Sequence, residues 1–385
     1  MIPTTTSGKN DLASIRVEID AIDRQIADLF EKRMKLAADA ADYKREAGLP
    51  VLDASREKEI LRSICAAAQD PASAFELKNL FSEIMSMSRK RQYRLLSSSF
   101  TPEDPSEAPF DIVGDIRAPE NKIVYQGVPG AYSHEASLSY FGQDACVFPV
   151  RTFEDAMAAL SGGQADHAVL PIDNSTAGIV ADVYDLLIRF DHHIVGEIYL
   201  PIRHTLWGVS GASLSDIETV YSHPQGLMQC RDYLNTTAWE RVPLLNTAAA
   251  ACKVSEDNDP RRAAIAGSLA GKLYGLVPLD TDICRENNVT RFIIVSEKRA
   301  VIAGGRKISI CFEIAHEVCS LYRILSHISF NGLNMTKIES RPIPEKNWEY
   351  RFFVDIEGNL NDPGVKNALL GIRSEASAFR LLGNY

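Results

Sequence analysis

The 385-residue sequence predicts a chain of three folded parts: an all-α segment, a two-lobed α/β segment and a smaller α+β segment of ferredoxin-like order. Three observations predict it. Apolar residues recur at helical spacing from Asp11 to about Leu95. Short β-rich runs alternate with helical stretches between 122 and 299. From 306 onward the order strand, helix, strand, strand, helix appears in miniature. The stretch 97–121, from Ser97-Ser98-Ser99 through Asp104-Pro105 to Pro119, has linker composition. The expected divisions are 8–96, 97–121, 122–299 and 304–385.

In the first segment Asp11 is a candidate cap for a helix that runs to about Glu46 and stops at Gly48 and Pro50. Such a helix is on the order of 50 Å long. Leu12, Ile15, Ile19, Ile22, Ile26, Leu29, Phe30 and Ala37 form its apolar stripe. A second helix starts near Asp53 and ends before Pro71, and a third spans about Ala72 to Leu95. Two short successors leave much of the stripe uncovered, so a dimer of mutually covering long helices is expected. Arg33 and Lys44, three helical turns apart, project into the middle of that stripe. A buried cation without an anion is very costly, so the pair has either acidic protein partners or an acidic ligand. Asp53, Arg56 and Glu57 share a helix face, as do Ser88 and Gln92. Arg16 lies roughly 100° from the stripe's centre and points past its own site.

These eight residues match, in order and closely in spacing, the all-helical chorismate mutases, which this segment resembles. The resemblance implies an intertwined helical dimer that rearranges chorismate to prephenate without covalent catalysis. It implies that Arg16 of the partner chain, Arg33 and Arg56 hold the substrate, and that Lys44 and Gln92 donate to its ether oxygen. Glu57 and Asp53 would meet the ring hydroxyl, with Ser88 a lesser contact.

In the second segment strands are expected at Ile123–Tyr125, Ala168–Leu170, Ile194–Ile198 and Phe292–Val295. Helices are expected at Glu154–Leu160, Val180–Arg189, Gly226–Leu234 and Arg262–Tyr274, around a mostly parallel sheet. Four polar loops stand at strand ends, the expected rim of a cleft between lobes. They are Gln126–Ser133, Pro171–Gly178, Ser222–Gln225 with Gln229, and Asn288–Phe292. The glycine-rich first loop is either an anion cradle or a plain turn. Together the four resemble prephenate dehydratase, with Thr290-Arg291-Phe292 the most specific mark. That resemblance implies loss of water and carbon dioxide from prephenate to give phenylpyruvate. It puts Thr290 at the leaving hydroxyl, Asn174, Ser175, Ser222 and Gln229 around the site, and Arg291 near a carboxylate. Asp173 stands where the family usually carries glutamate. His134 and His223 are weaker candidates as general acids; His167, His192, His204 and His327 read as structural or exposed.

The third segment, with Gly332-Leu333-Asn334 and Lys337 to Pro342, resembles the ACT-type regulatory domain attached to this dehydratase. It implies phenylalanine bound between paired domains, near Leu321, Asn334, Glu339, Ser340 and Arg341. Cys319-Ser320-Leu321 stands where the family has Gly-Ala-Leu, so a cysteine replaces a glycine.

Composition narrows the remaining classes. The formal charge of −10 counts against nucleic acid or an anionic membrane as main partner. No apolar run approaches the roughly 18–20 residues of a membrane span. Met1-Ile2-Pro3-Thr4 starts no signal peptide, so a cytoplasmic location is expected. Seven scattered cysteines without a CxxC read as reduced thiols, and eight histidines without HxH or HExxH argue against metal. No cofactor is expected. The expected partners are chorismate, prephenate, phenylalanine and further copies of the chain. The rival readings are a two-lobed small-molecule binding protein, and a dehydratase whose helical domain only dimerises or regulates.

Overall fold

The computed structural model describes residues 11–97, 110–284, 288–344, 346 and 348–385. The chain divides into two compact units, Met1–Asp104 with Ile310–Leu381, and Pro105–Ser309 with Leu382–Tyr385.

The first unit begins with three helices, α1 (Leu12–Ala47), α2 (Ala54–Ala66) and α3 (Pro71–Leu96). Each starts at an aspartate whose carboxylate accepts a backbone N–H of the first turn: Asp11 from Ser14, Asp53 from Arg56, Asp70 from Ser73. Gly48 ends α1 at φ 64°, left-handed geometry that a residue without Cβ adopts freely. The N-terminal part of the α1 stripe is uncovered by its own chain, with Leu12, Ile22 and Leu29 63%, 55% and 65% exposed, whereas Phe30 and Ala37 are half-buried where α1 packs on α3. The inner face of α3 buries Met85, Ser88, Arg89, Gln92 and Tyr93.

The second unit carries β1 (Asp111–Val113), β2 (Lys122–Gln126), α4 (Tyr132–Phe141), β3 (Cys146–Val150), α5 (Phe153–Ser161) and β4 (His167–Asn174). It continues with β5 (Gly178–Ile179), α6 (Ala181–Arg189), β6 (His193–Pro201), β7 (Thr205–Gly208), β8 (Thr219–Ser222), α7 (Pro224–Gln229) and α8 (Arg231–Leu234). Then follow β9 (Glu240–Pro243), α9 (Thr247–Asp257), β10 (Arg262–Ala266), α10 (Ser268–Leu273), β11 (Val277–Asp280), β12 (Val289–Ser296) and β13 (Ala300–Ile302). One sheet has the order β3-β2-β4-β12-β6 with β5 on β4; the other runs β11-β7-β10-β8-β9.

Both sheets are mixed rather than mostly parallel. β2 is parallel to β3 and β4, but β12 is antiparallel to β4 and β6. It rejoins the first sheet only after the chain has built the second. In that second sheet β8 is parallel to β9 and β10, while β7 is antiparallel to β10 and β11. The expected helix over 262–274 is instead a strand and a short helix. Arg262–Ala266 fills a central sheet position with Ala263 to Ala266 fully buried, and Gly267 opens α10. The expected helix over 226–234 divides at Cys230 into α7 and α8. Within the stretch of linker composition, β1 pairs in parallel with β13, and Phe110 and Ile116 are buried.

The C-terminal part comprises β14 (Lys307–Glu313), α11 (Ser320–Phe330), β15 (Met335–Pro342), β16 (Tyr350–Glu357), α12 (Pro363–Glu375) and β17 (Ala378–Asn384). Its sheet order, β15-β16-β14-β17, is the ferredoxin-like one, and β17 supplies a final strand that the sequence pattern leaves without a clear signal. Phe312, Ile324, Val354, Ile356, Leu369 and Ile372 build its core, and α3 packs on α12.

Candidate functional site

Helix caps and helical phase bring part of the expected helical site together. Arg33 Nη1 donates to Ser88 Oγ, which in turn donates to the Ile84 carbonyl at 2.8 Å. Burial lowers the Arg33 pKa while the Glu57 charge works against that. Lys44 Nζ donates to the Val51 carbonyl at 2.5 Å. Neither cation ion-pairs with a carboxylate among the described residues. Gln92 is buried and its Oε1 has no partner. Asp53 caps α2; hydrogen bonds from the Ser55 hydroxyl and the Arg56 amide hold its pKa down. Two expected members stand outside this cluster. Arg16 is exposed on α1, and Arg56 pairs at 2.6 Å with Glu59 one turn along its own exposed face.

Glu57 has a partner that the sequence reading missed. Its Oε1 accepts from Arg89 Nη1 at 2.5 Å, and Arg89 Nε donates to Glu375 Oε1 on α12 at 2.8 Å. His327 of α11 approaches the same carboxylate at 3.2 Å. Burial would lower the Arg89 pKa, but these two carboxylates raise it overall.

The second unit holds a cavity of about 370 Å³ lined by Asn174, His204, Gln225, Gln229, Thr290 and Phe292 among others. The register of β12 on β4 sets Thr290 directly opposite Asn174. Asn174 Oδ1 accepts the Thr176 and Ala177 amides at 3.0 and 2.8 Å. That turn fixes the amide's orientation, so Nδ2 faces Thr290 Oγ1 at 2.8 Å and Asn288 Oδ1 at 2.9 Å. A hydroxyl that accepts such a bond turns its own hydrogen elsewhere and donates it more strongly. Gln229 Nε2 donates to Thr176 Oγ1 at 2.9 Å, and Gln229 Oε1 meets His204 Nε2 at 2.9 Å. His204 Nδ1 meets the Tyr132 hydroxyl at 2.9 Å. Burial lowers the His204 pKa, with Gln229 working against it.

The lining includes no lysine or arginine among the described residues. The N-terminal residues of α4, α5 and α9 open onto it instead: Tyr132 and Ser133, Phe153, and Thr247 after Asn246. Backbone N–H groups at helix N-termini and the aligned peptide dipoles favour anions there.

Three expected ligands lie off this lining. Ser175 Oγ accepts the Val289 amide at 2.9 Å. Ser222 is fully buried and donates to the Ile265 carbonyl at 2.7 Å, where it seats the start of α7 against Gly226. Arg291 points to the opposite face of β12 from Thr290 and Phe292, because successive strand residues alternate. His134 accepts the Gly130 amide at 3.0 Å and stacks on Tyr125. His223 does line the cavity and caps α7 by accepting the Gln225 amide. His204, read from sequence as structural or exposed, belongs to the site; it stands in no motif and gave no signal.

In the C-terminal part Leu321 opens α11, while Glu339, Ser340 and Arg341 lie on β15, an edge strand. Asn334 precedes that strand and donates to Glu357 at 2.9 Å. Cys319 caps α11 at φ 62°, the left-handed conformation glycine adopts without strain.

The family model "Chorismate mutase type II" matches residues 15–93, and "Prephenate dehydratase" matches 123–300. The bifunctional chorismate mutase/prephenate dehydratase of Aquifex aeolicus (strain VF5) is 31% identical over 384 residues, covering 97% of this chain and 98% of that protein. Among solved structures, a prephenate dehydratase from Arthrobacter aurescens in complex with L-Phe is 31% identical with a TM-score of 0.64, covering 69% of this chain and 89% of that one. GqqA, described as a novel type of quorum quenching acylases, is also 31% identical with a TM-score of 0.64, covering 68% of this chain and 96% of that one. Likeness over about two thirds of the chain is therefore shared by proteins of different described activity. The nearly full-length match and the separate mutase match discriminate between them.

Proposed function

The chain belongs to the bifunctional chorismate mutase/prephenate dehydratases, and from that premise we propose how its residues divide two consecutive steps of phenylalanine biosynthesis. Residues 8–96 form the mutase, 122–299 the dehydratase and 304–385 an ACT-type regulatory domain; of the stretch 97–121 expected to link the first two, residues 110–116 pack on the dehydratase.

In the mutase, Arg33 grips a carboxylate of chorismate, with Arg56 and Arg16 of a second copy completing the hold. Arg56 leaves an exposed pair with Glu59 to do so, a pair of little strength. Lys44 and Gln92 donate to the ether oxygen as the bond breaks, Glu57 and Asp53 meet the ring hydroxyl, and Ser88 keeps Arg33 in place. The reaction needs only a held chair and stabilised charge separation. Two features support this: Arg33 and Lys44 lack an acidic partner, and the buried Gln92 carbonyl is unmet. The bare N-terminal part of the α1 stripe supports an intertwined dimer.

In the dehydratase, the carboxylate of prephenate leaves as carbon dioxide. Its electron pair aromatises the ring and expels the hydroxyl, which takes up a proton and departs as water. Thr290 donates to that hydroxyl, made a better donor by the Asn174 amide; this 2.8 Å bond inside the cavity is the observation that carries the assignment. Gln229 and His204 hold the loop that fixes Asn174, and the three helix N-termini receive the negative charge. Ser175 and Ser222 act as supports for the loops.

Phenylalanine is the proposed effector, bound near Leu321, Asn334, Glu339, Ser340 and Arg341 across paired copies, where it favours one arrangement of the chain. The L-Phe-bound relative supports this. A cytoplasmic location is proposed on the same footing; no helix among the described residues is long and apolar enough to cross a membrane. Neither reaction calls for a cofactor.

Paired substitutions test the division. Lys44→Ala is expected to abolish mutase turnover and leave the dehydratase, and Thr290→Ala to do the reverse. Either variant losing both activities with its fold intact contradicts separate sites.

A further inference from the structure

Arg291 follows Thr290 in the chain but works on the other side of β12. It is buried, its Nε donates to Glu197 Oε2 at 2.7 Å, and its Nη2 donates to the Tyr385 hydroxyl at 2.8 Å. Glu197 stands on β6, diagonal to Arg291 in the ladder. Its other oxygen accepts from Lys307 Nζ at 2.5 Å, and Lys307 also reaches the Tyr199 hydroxyl at 3.0 Å. Burial would lower the Lys307 pKa, but these two bonds raise it. The Tyr385 hydroxyl shares a hydrogen with Ser309 Oγ at 2.7 Å. Its backbone pairs with Lys307 in both directions at 2.9 Å. Two residues earlier, Gly383 lies so close to β6 that a Cβ there would be driven into the Ile194 carbonyl. All of these groups belong to the second unit.

The ladder itself explains why a restraint is needed at this point. The β12–β4 register shifts between Arg291 and Phe292, immediately after the Thr290–Asn174 pair. The extra residue is Ile172 on β4, whereas β12 keeps an unbroken register with β6 from Val289 to Ile294, so it is the β4 side of the ladder, and with it the approach of Asn174 to Thr290, that regular pairing leaves less firmly fixed. A carboxylate between two cations on the far face supplies the missing restraint, since uncoupling any one member leaves buried charge uncompensated.

We propose that Arg291 is a positioning residue of the dehydratase, held with Glu197, Lys307 and Tyr385 in a buried clamp that keeps Thr290 against Asn174. The clamp hands the end of β17 direct control over the strand that carries the reacting hydroxyl. The inference rests on Thr290 meeting the departing hydroxyl.

The test is steady-state dehydratase kinetics of Tyr385→Phe, Arg291→Lys and the double variant, with mutase turnover on the same chains and a thermal melt as checks of folding. Tyr385→Phe removes one hydroxyl that faces away from the cavity. The expected result is a kcat lowered about tenfold in each single variant, with KM within twofold of the parent. The double variant should be no worse than the worse single one, because both cut the same bond. A raised KM with unchanged kcat in Arg291→Lys would mean that the guanidinium reaches substrate, and overturns the clamp. Parent kinetics in Tyr385→Phe, or losses that multiply in the double variant, also overturn it. If Tyr385→Phe melts early, Glu197→Gln read by the same kcat and KM division decides the question. Thr290→Ala run alongside separates the two readings: full activity there sinks the role of Thr290, whereas a dead Thr290→Ala beside a silent Tyr385→Phe sinks only the clamp.

Discussion

Cys319 pays a conformational cost that a glycine at the same place would avoid. An L-residue in the left-handed region crowds its Cβ against the backbone, at about 1–2 kcal/mol, and glycine returns part of that gain as chain entropy. At φ 62° Cys319 makes no side-chain hydrogen bond that caps α11. Cys319→Gly is therefore expected to stabilise the protein by roughly 0.5–1 kcal/mol and to sharpen inhibition by phenylalanine, whose proposed site includes Leu321. Urea midpoints and inhibition curves of the two forms check this; an unmoved midpoint would show that no strain is stored there. The identity of residue 319 was legible as a departure from the family pattern. Its geometry matters because the helix start demands it.

At the scale of elements, termini were easier to read than faces. Asp11, Asp53 and Gly48 mark helix ends through local chemistry, so α1 and α2 begin and stop where the sequence says. Arg262–Ala266 misled because an alanine-rich run fits a helix and a fully buried strand equally well, and only its place between β7 and β8 decides. The Thr290-Arg291-Phe292 triplet contained its own correction: adjacent strand residues cannot all face one cavity. Arg89 was illegible, since Glu375 lies 286 residues away. The uncovered face of α1 gives an element-scale prediction. Leu29→Lys, at a position 65% exposed in the single chain, should be nearly harmless if α1 faces water. If two copies cover each other's stripes, it places a charge in a shared apolar core. The expected outcome is dissociation at micromolar concentration with loss of mutase turnover, measured by sedimentation and by assay. An unchanged assembly with full mutase activity would remove the intertwined dimer.

Over the whole molecule the two units answer acid in different windows. His134, His204 and His223 in the second unit have pKa values lowered by burial, and His167 is pushed down to about 4. A histidine that stays neutral in the fold contributes no penalty above its unfolded pKa, near 6.5. As pH falls from there toward 4, the unfolded chain binds a proton that the folded one refuses, so stability is lost. For His167 alone the loss approaches roughly 3 kcal/mol by pH 4. In the first unit a buried acid with a shifted pKa is Glu375. Burial would raise its pKa, but hydrogen bonding to His327 and the charge on Arg89 lower it overall. That contribution is complete above the unfolded carboxylate pKa of about 4.5 and fades only below it. Dehydratase turnover and the cooperative unfolding of the second unit should therefore weaken between pH 6.5 and 4.5 while mutase turnover holds. His167→Gln should flatten the early part of that decline. Urea unfolding at pH 7 and 5, followed by both assays after return to neutrality, tests the separation; parallel loss of the two activities would mean that the units do not unfold independently.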